Sequence, residues 1–217
     1  MKKFKTLRHA AAAGLAACVL VAAAIGAAAE PVEIVALGDS LTAGLGLGPG
    51  ESFPEQLEAA LEARGHDVTV ANAGVSGDTS TDGLARVDWS VPAEADIVIV
   101  ELGANDALRG IDPTVTRKAL SEIIAKLTGR GQAVLLAGML APPNLGAGYT
   151  KAFDAIYSDL AAEYHVALYP FFLASVAADT TLNQADGMHP NAAGVSRIVE
   201  RMLPDVEALV AAAAAGG

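Results

Sequence analysis

Five apolar runs alternate with helical patterns along residues 31–210, and this alternation leaves few folds open to the chain. The runs are short, and they are apolar at consecutive positions, which is typical of strands buried on both faces. Such strands joined by helices predict a parallel sheet with helices on both sides. We therefore expect an α/β protein with three layers, α/β/α, and about five strands. The predicted strands are 32–37, 67–73, 96–102, 132–138 and 166–169, and the predicted helices are 52–64, 112–128, 150–164 and 191–210.

Two of the predicted helices carry clear end signals. The first opens with Ser52 and the second with Asp112, each as a candidate N-cap, and Gly129 follows the second as a stop. Small polar side chains cap helix N-termini, and glycine commonly ends helices. No repeat or linker interrupts the pattern, so residues 30–217 are predicted to form one domain, whose alanine-rich end, 211–217, is expected to fray.

The first 29 residues have the pattern of a secretory signal peptide, which predicts a periplasmic protein. A basic start is followed by an apolar stretch, and three alanines offer a cleavage site before Glu30. Two alternatives stay open. The apolar stretch is near the lower length limit for a membrane span, and Cys18 lies in a sequence, LAAC, that resembles a lipoprotein cleavage site. The basic residues are Lys2, Lys3, Lys5 and Arg8.

The charge of the chain excludes several classes of partner. The formal net charge is -11, and loss of residues 1–29, with four basic residues and no acidic one, moves it to -15. So acidic a protein has no electrostatic basis for binding nucleic acid or an anionic membrane, and we expect no membrane anchor after cleavage. Cys18 is the only cysteine, so the mature chain is expected to have neither disulfides nor cysteine ligands for a metal.

Three loops that follow predicted strands carry polar residues and glycine. They are Gly38-Asp39-Ser40, residues 72–80 (NAGVSGDTS) and residues 102–110 (LGANDALRG). Ligands of open parallel sheets bind at the carboxyl ends of the strands, so these loops are expected to converge on one cleft. Within it, Ser40 is either a turn residue or a nucleophile.

A nucleophilic serine needs a base, and His189 is the best candidate. It lies in a loop rich in turn residues, three positions after Asp186, whose carboxylate can hold one ring nitrogen and leave the other facing the serine. His66 and His165 lie at the opposite edge of the predicted sheet and are interpreted as surface residues. One histidine and one aspartate are too few ligands for a metal site, so no metal is expected.

An oxyanion formed at Ser40 needs donors that are already in place. The Ser40 backbone N–H, the N–H of Gly74 and the side-chain amide of Asn105 are the candidates, although a turn-forming asparagine is the simpler reading of Asn105 alone. The nearby aspartates are expected to brace the loops by accepting backbone N–H groups. They are Asp39, Asp78 and Asp106.

Taken together, four motifs resemble those of the SGNH hydrolases, also called GDSL esterases. They are GDSLTAG with Ser40, NAGVSGDTS with Gly74, LGANDALRG with Asn105, and DGMHPNAAG with Asp186 and His189. The resemblance covers residues 31–210 and is strongest to the bacterial periplasmic thioesterases, lysophospholipases and arylesterases. It implies a flavodoxin-like SGNH fold, Ser40 as nucleophile, His189 as base with Asp186 as its partner, and an oxyanion hole from Ser40, Gly74 and Asn105.

Other readings fit less well. Thr42 stands where an α/β-hydrolase has the second glycine of Gly-x-Ser-x-Gly, so the nucleophile elbow is absent. The glycines of residues 44–50 do not match a dinucleotide-binding loop. A carbohydrate O-deacetylase on the same fold stays open, although the only tryptophan, Trp89, is outside the predicted catalytic loops. A non-catalytic binding protein also stays open.

The segment after the fourth predicted strand, MLAPPNLGAGY, is expected to line one wall of the cleft. Its apolar side chains Leu140, Pro142 and Leu145 suit an acyl chain, although an ordinary surface loop would look the same. The expected substrates are small esters and thioesters: aryl esters, short and medium acyl esters, and lysophospholipids. Serine-based acyl transfer needs no cofactor, so none is expected. We also expect the protein to be a monomer.

Overall fold

A computed structural model describes Met1 and residues 30–216. The predicted signal peptide therefore lies outside the described residues, apart from Met1. Among these residues, no helix combines the length and the apolar character that crossing a membrane requires.

The core is one five-stranded parallel sheet in the order β2-β1-β3-β4-β5, which confirms the predicted α/β class. Its central strands, β1 and β3, are almost completely buried, and this explains why their sequences are apolar at consecutive positions. The strands are β1 Val32–Gly38, β2 Val68–Gly74, β3 Ile97–Glu101, β4 Ala133–Ala137 and β5 Ala167–Tyr169.

Helices cover both faces of the sheet, as the three-layer prediction requires. Two of the long helices, α2 and α7, pack together on one face, whereas α3, α5 and α6 pack side by side on the other. The short helices α1 and α4 follow β1 and β3. The helices are α1 Ser40–Ala43, α2 Phe53–Glu62, α3 Ser80–Ser90, α4 Ala104–Leu108, α5 Pro113–Gly129, α6 Ala147–Tyr164 and α7 Ala192–Gly216.

The predicted cap residues stand at the helix ends. Ser52 forms a capping box with Glu55 at the start of α2, and the Asp112 side chain accepts the N–H of Thr114 at the start of α5. Each interaction satisfies N–H groups that have no partner within their own helix.

Several features differ from the sequence-based expectation, and the short helices α1 and α4 are among the helices that were not predicted. Helix α3 was not predicted, because its glycine and small polar residues weaken the helical pattern. Gly83 packs closely on Leu102, whose Cδ1 would lie 2.3 Å from an added side-chain carbon. Trp89 lies in the last turn of α3 and is exposed. Residues 211–216 of the alanine-rich end, which was expected to fray, are helical as the last part of α7, in keeping with the high helix propensity of alanine.

The strand register brings the functional loops together. Gly38 of β1 lies opposite Gly74 of β2 and Glu101 of β3, and Glu101 lies opposite Ala137 of β4. Four strands therefore end at the same level, so the loops that follow them meet at one edge of the sheet.

Candidate active site

Ser40, His189 and Asp186 form a continuous hydrogen-bonded chain at the carboxyl edge of the sheet. The Ser40 hydroxyl lies 2.9 Å from His189 Nε2, and His189 Nδ1 lies 2.6 Å from Asp186 Oδ2. Ser40 is the first residue of α1, whereas the other two residues come from the loop before α7. With the proton on Nδ1, Nε2 is free to accept a proton from the serine hydroxyl.

The Asp186 carboxylate is stabilised by its own loop. Its Oδ1 accepts the backbone N–H groups of His189 and Met188, at 3.0 and 2.9 Å. These two bonds, followed by the bond with the His189 ring, lower the pKa of Asp186 to about 2. At neutral pH Asp186 is therefore ionised, and it can stabilise a positive charge on the imidazole.

Asp39 shapes the turn between β1 and α1. Its Oδ1 accepts the N–H of Leu41 at 3.0 Å and thereby caps α1. The side chain is fully buried, and burial raises its pKa to about 6, although the hydrogen bonds from Leu41 and Asn105 oppose that rise. The N–H of Ser40 has no hydrogen-bond acceptor within the described part of the chain, so it is available to a ligand.

The Asn105 amide faces the same cleft from the first turn of α4. Its Nδ2 donates to Asp39 Oδ2 at 3.0 Å and to the carbonyl of Asp78 at 2.9 Å. Both hydrogens of the Asn105 amide are therefore donated to acceptors within the protein. The bonds fix Asn105 between the Ser40 turn and the loop that follows β2.

Gly74 is not placed where an oxyanion donor is needed. Its N–H donates to Asn72 Oδ1 at 2.9 Å, and it packs so closely on α1 that a side-chain carbon would lie 2.3 Å from Ala43 N. Gly77 instead lines the cavity beside Ser40, Asn105 and His189. The N–H of Gly77 has no acceptor among residues 30–216. Its carbonyl accepts a hydrogen bond from the Arg109 guanidinium at 2.7 Å.

Arg86 is a buried residue that the sequence did not single out. From α3 it donates to the carbonyls of Gly38 and Ala73, each at 2.8 Å, and pairs with Asp78 Oδ2 at 2.6 Å. It thus joins the ends of β1 and β2 to the loop that contains Gly77. Asp78, which was expected to accept backbone N–H groups, is paired with this arginine instead.

The other polar residues of the region have structural partners. As expected, Asp106 accepts a backbone N–H, that of Ser80, and it also accepts the hydroxyl of Thr116. His66 pairs with Glu207 at 3.2 Å, away from the cleft. In the described ranges, no group of three or more histidine, cysteine, aspartate or glutamate residues is arranged to hold a metal ion.

Ser40 and His189 open onto a cavity of about 480 Å³. Leu140 and Pro142 line it as predicted, whereas Leu145, in a short 3₁₀ helix at 143–145, does not. Several apolar wall residues come from segments to which the sequence assigned no role in substrate binding. They are Leu41, Leu45, Leu108, Leu173, Ala177 and Met188.

Comparison with known proteins identifies the family. The profile of the GDSL-like lipase/acylhydrolase family matches residues 36–197. The chain is 40% identical over 185 residues to esterase TesA of Pseudomonas aeruginosa, which covers 85% of this chain and 91% of that protein. It is 36% identical over 184 residues to thioesterase 1/protease 1/lysophospholipase L1 of Escherichia coli, with 84% and 87% covered.

The three-dimensional comparison agrees. The crystal structure of AlinE4, an esterase of the SGNH-hydrolase family, superposes with a TM-score of 0.71 at 47% identity, covering 83% of this chain and 97% of that one. Family profile, sequence identity and fold therefore lead to one conclusion: the chain belongs to the GDSL-like lipase/acylhydrolase family.

Proposed function

We propose that this protein hydrolyses carboxylic esters and thioesters by acyl transfer through Ser40. The observation that carries the proposal is the hydrogen-bonded chain from the Ser40 hydroxyl through His189 to an ionised Asp186, at the wall of an apolar cavity. A hydroxyl, an imidazole and a carboxylate in this order are what nucleophilic acyl transfer requires.

In the first step, Ser40 Oγ attacks the substrate carbonyl carbon while His189 Nε2 takes the hydroxyl proton. Asp186 holds the Nδ1 proton and stabilises the imidazolium without taking its proton. The tetrahedral intermediate then collapses, and His189 passes the proton to the departing alcohol or thiol. A water molecule, activated by the same histidine, attacks the acyl-serine and releases the carboxylic acid.

The negative oxygen of the intermediate is stabilised by three donors in this proposal. They are the N–H groups of Ser40 and Gly77, which have no acceptor among residues 30–216, and the amide of Asn105. Asn105 takes part by redirecting one of its two hydrogen bonds from Asp39 or Asp78 to the oxyanion. Gly77 takes the place that the sequence assigned to Gly74.

The cavity supports a substrate with an apolar acyl group. Its walls consist mostly of leucine, methionine, alanine and proline side chains, and they expose few polar groups apart from the reacting ones. The names of the two relatives above include esterase, thioesterase and lysophospholipase, and the cavity suits all three classes as well as aryl esters.

We also propose that residues 1–29 are a cleaved signal peptide and that residues 30–217 act in the periplasm as one monomeric domain. The pattern of basic, apolar and small residues supports cleavage after Ala29. The mass of the protein isolated from a periplasmic extract tests this: a chain that begins at Glu30 is expected, and a full-length or lipid-modified chain would contradict it.

The decisive experiment compares S40A with wild type on p-nitrophenyl esters of increasing chain length, an acyl thioester and an acetylated sugar. S40A should lose at least about 10³-fold in kcat/KM, since without the hydroxyl no acyl-enzyme forms. S158A, which changes an exposed serine of α6, is the matched control and should behave as wild type. An S40A enzyme that keeps most of its activity would refute the proposal, and a preference for the acetylated sugar would favour a deacetylase.

A further inference from the structure

A buried carboxyl group lies directly beneath the turn that carries Ser40. Glu101 is the last residue of the central strand β3, opposite Gly38, and its side chain is completely buried. Burial of an unpaired carboxylate is costly, so a glutamate at this place needs a compensating role.

The two oxygens of Glu101 have different surroundings. Oε2 accepts the Thr42 hydroxyl at 2.8 Å and, at the longer distance of 3.4 Å, the N–H of Asp39. Oε1 is equally buried, and no hydrogen-bond donor of the described residues faces it. Nor does any ion pair join Glu101 to a cation within that part of the chain. An ionised Glu101 would therefore leave a charged oxygen unpaired in the core.

Asp39 is the second carboxyl group at this place, and it is also fully buried. Two neighbouring carboxyl groups without a cation do not both ionise in an apolar interior. Burial, followed by the charge of Asp39, raises the pKa of Glu101 well above its ordinary value. The hydrogen bonds from Leu41 and Asn105 favour the charged form of Asp39, so the shared proton belongs to Glu101.

This pair is linked to the oxyanion site through one hydrogen bond. Asp39 Oδ2 accepts from Asn105 Nδ2 at 3.0 Å, and it is, with the Asp78 carbonyl, one of the two acceptors from which the amide redirects a bond to reach a substrate oxygen. A hydrogen bond from a carboxylic acid offsets part of the negative charge of the carboxylate that accepts it, so that carboxylate attracts the amide less strongly. The protonation state of Glu101 therefore affects how readily the Asn105 amide turns toward a substrate oxygen.

We infer that Glu101 is a positioning residue: as a neutral carboxylic acid it donates a hydrogen bond to Asp39, and this bond sets how firmly Asp39 holds the Asn105 amide. The inference rests on the proposed function, because it concerns the amide expected to face the oxyanion. The other titratable groups that face the pair are Asp78 and His189 from the neighbouring loops and Tyr157 from α6.

The test compares E101Q, which keeps a donor toward Asp39, with E101M, which removes it at similar volume. E101M should lose about tenfold in kcat with KM changed less than about twofold, a fraction of what loss of a whole oxyanion donor costs. E101Q should stay within about threefold of wild type. Because Glu101 acts through Asn105, E101M should have almost no further effect in an N105A background.

Gln132 provides a matched control at the opposite edge of the sheet. It is also buried, with an oxygen that has no donor among the described residues, so Q132M reports the effect of removing a buried polar group on stability alone. Unchanged kcat in E101M, an equal loss in E101Q, or an undiminished effect of E101M in the N105A background would each overturn the inference.

A spectroscopic measurement makes the inference testable even where E101M does not fold. Infrared spectra of the wild-type protein at neutral pH should contain the C=O stretch of one protonated carboxyl group, and E101Q should lack it. A wild-type spectrum without that band would overturn the inference while leaving the proposed function intact. Loss of the proposed function would appear instead in the comparison of S40A with wild type.

Discussion

The two sides of the active site are held by different kinds of contact. On one side, Asp186 binds the backbone of Met188 and His189, so the base and its partner are positioned by residues two and three places apart in the chain. On the other side, the Ser40 turn is fixed by side chains from distant segments, above all Asn105 and Arg86. The base is therefore ordered by its own loop, whereas the nucleophile and the oxyanion site are ordered by the whole sheet edge.

The largest effect is expected from breaking the local side with D186N. Asparagine keeps an oxygen for the two backbone N–H groups, but its amide cannot accept the His189 Nδ1 proton, so the wrong tautomer is favoured. We expect kcat to fall by about 10³- to 10⁴-fold with little change in the free energy of unfolding.

E207Q is the matched control, because it removes the carboxylate of the other histidine pair, His66–Glu207, and should leave kcat unchanged. Steady-state kinetics on a p-nitrophenyl ester checks both variants. A loss in D186N no larger than that in E207Q would mean that Asp186 does not serve as the partner of the base.

A smaller loss of activity, accompanied by a loss of stability, is expected from breaking the long-range side with R86K. Lysine keeps the charge opposite Asp78 but cannot reach the Gly38 and Ala73 carbonyls at the same time. The loop that carries Gly77 should shift, so kcat should fall by about 10²-fold, the range for loss of one oxyanion donor. The free energy of unfolding should fall as well.

R117K is the control for this change, since Arg117 pairs with Glu163 at the surface. Its kcat and its urea midpoint should stay close to wild type. Titration with a serine-reactive phosphonate counts the folded R86K enzyme that remains. If R86K lowers the urea midpoint but this folded enzyme keeps its full kcat, Arg86 is purely structural.

The same division explains what the sequence could predict. The Asp186–His189 pair and the strand ends were found because their signals are local: a spacing of three residues and runs of apolar positions. Gly77 and Arg86 were missed because their roles depend on long-range contacts: Arg109 donates to Gly77 across 32 residues, and Arg86 donates to Gly38 across 48. Gly74 was chosen in the same motif as Gly77, and only the structure separates the two: the N–H of Gly74 is bound to Asn72 and Gly74 packs on α1, whereas Gly77 lines the cavity.

The long-range side also carries a pH dependence close to neutral pH, whereas that of Asp186 on the local side, with its pKa lowered to about 2, lies below about pH 4. Asp39 has a pKa of about 6 in the folded protein against an ordinary value of 3.8, so between these values the folded state binds a proton that the unfolded chain does not. The proton that Asp39 binds therefore stabilises the folded state. This stabilisation is fully present below about pH 4 and is lost as the pH rises through 6.

D39N isolates this contribution. Wild type should gain about 1 kcal/mol at pH 5 relative to pH 7.5 that D39N does not gain, in urea unfolding at both pH values. The substitution also disturbs hydrogen bonds of Asp39. Because these are lost at both pH values, their free energy cancels when the two pH values are compared. An identical pH dependence in the two proteins would show that Asp39 does not titrate in this range.

The smallest effect is expected at the mouth of the cavity, where neither kind of contact fixes the site. Leu140 lines the cavity but is 46% exposed, so a bound acyl chain can bury only part of its side chain, worth about 1 kcal/mol. L140A should lower kcat/KM about fivefold for a long-chain p-nitrophenyl ester and leave the acetate ester unchanged. L145A is the matched control, because Leu145 belongs to the same segment but does not line the cavity, and it should leave both substrates unaffected. Equal losses on both esters would place Leu140 at the reacting end of the substrate, and equal losses in the two variants would trace the effect to packing of the loop.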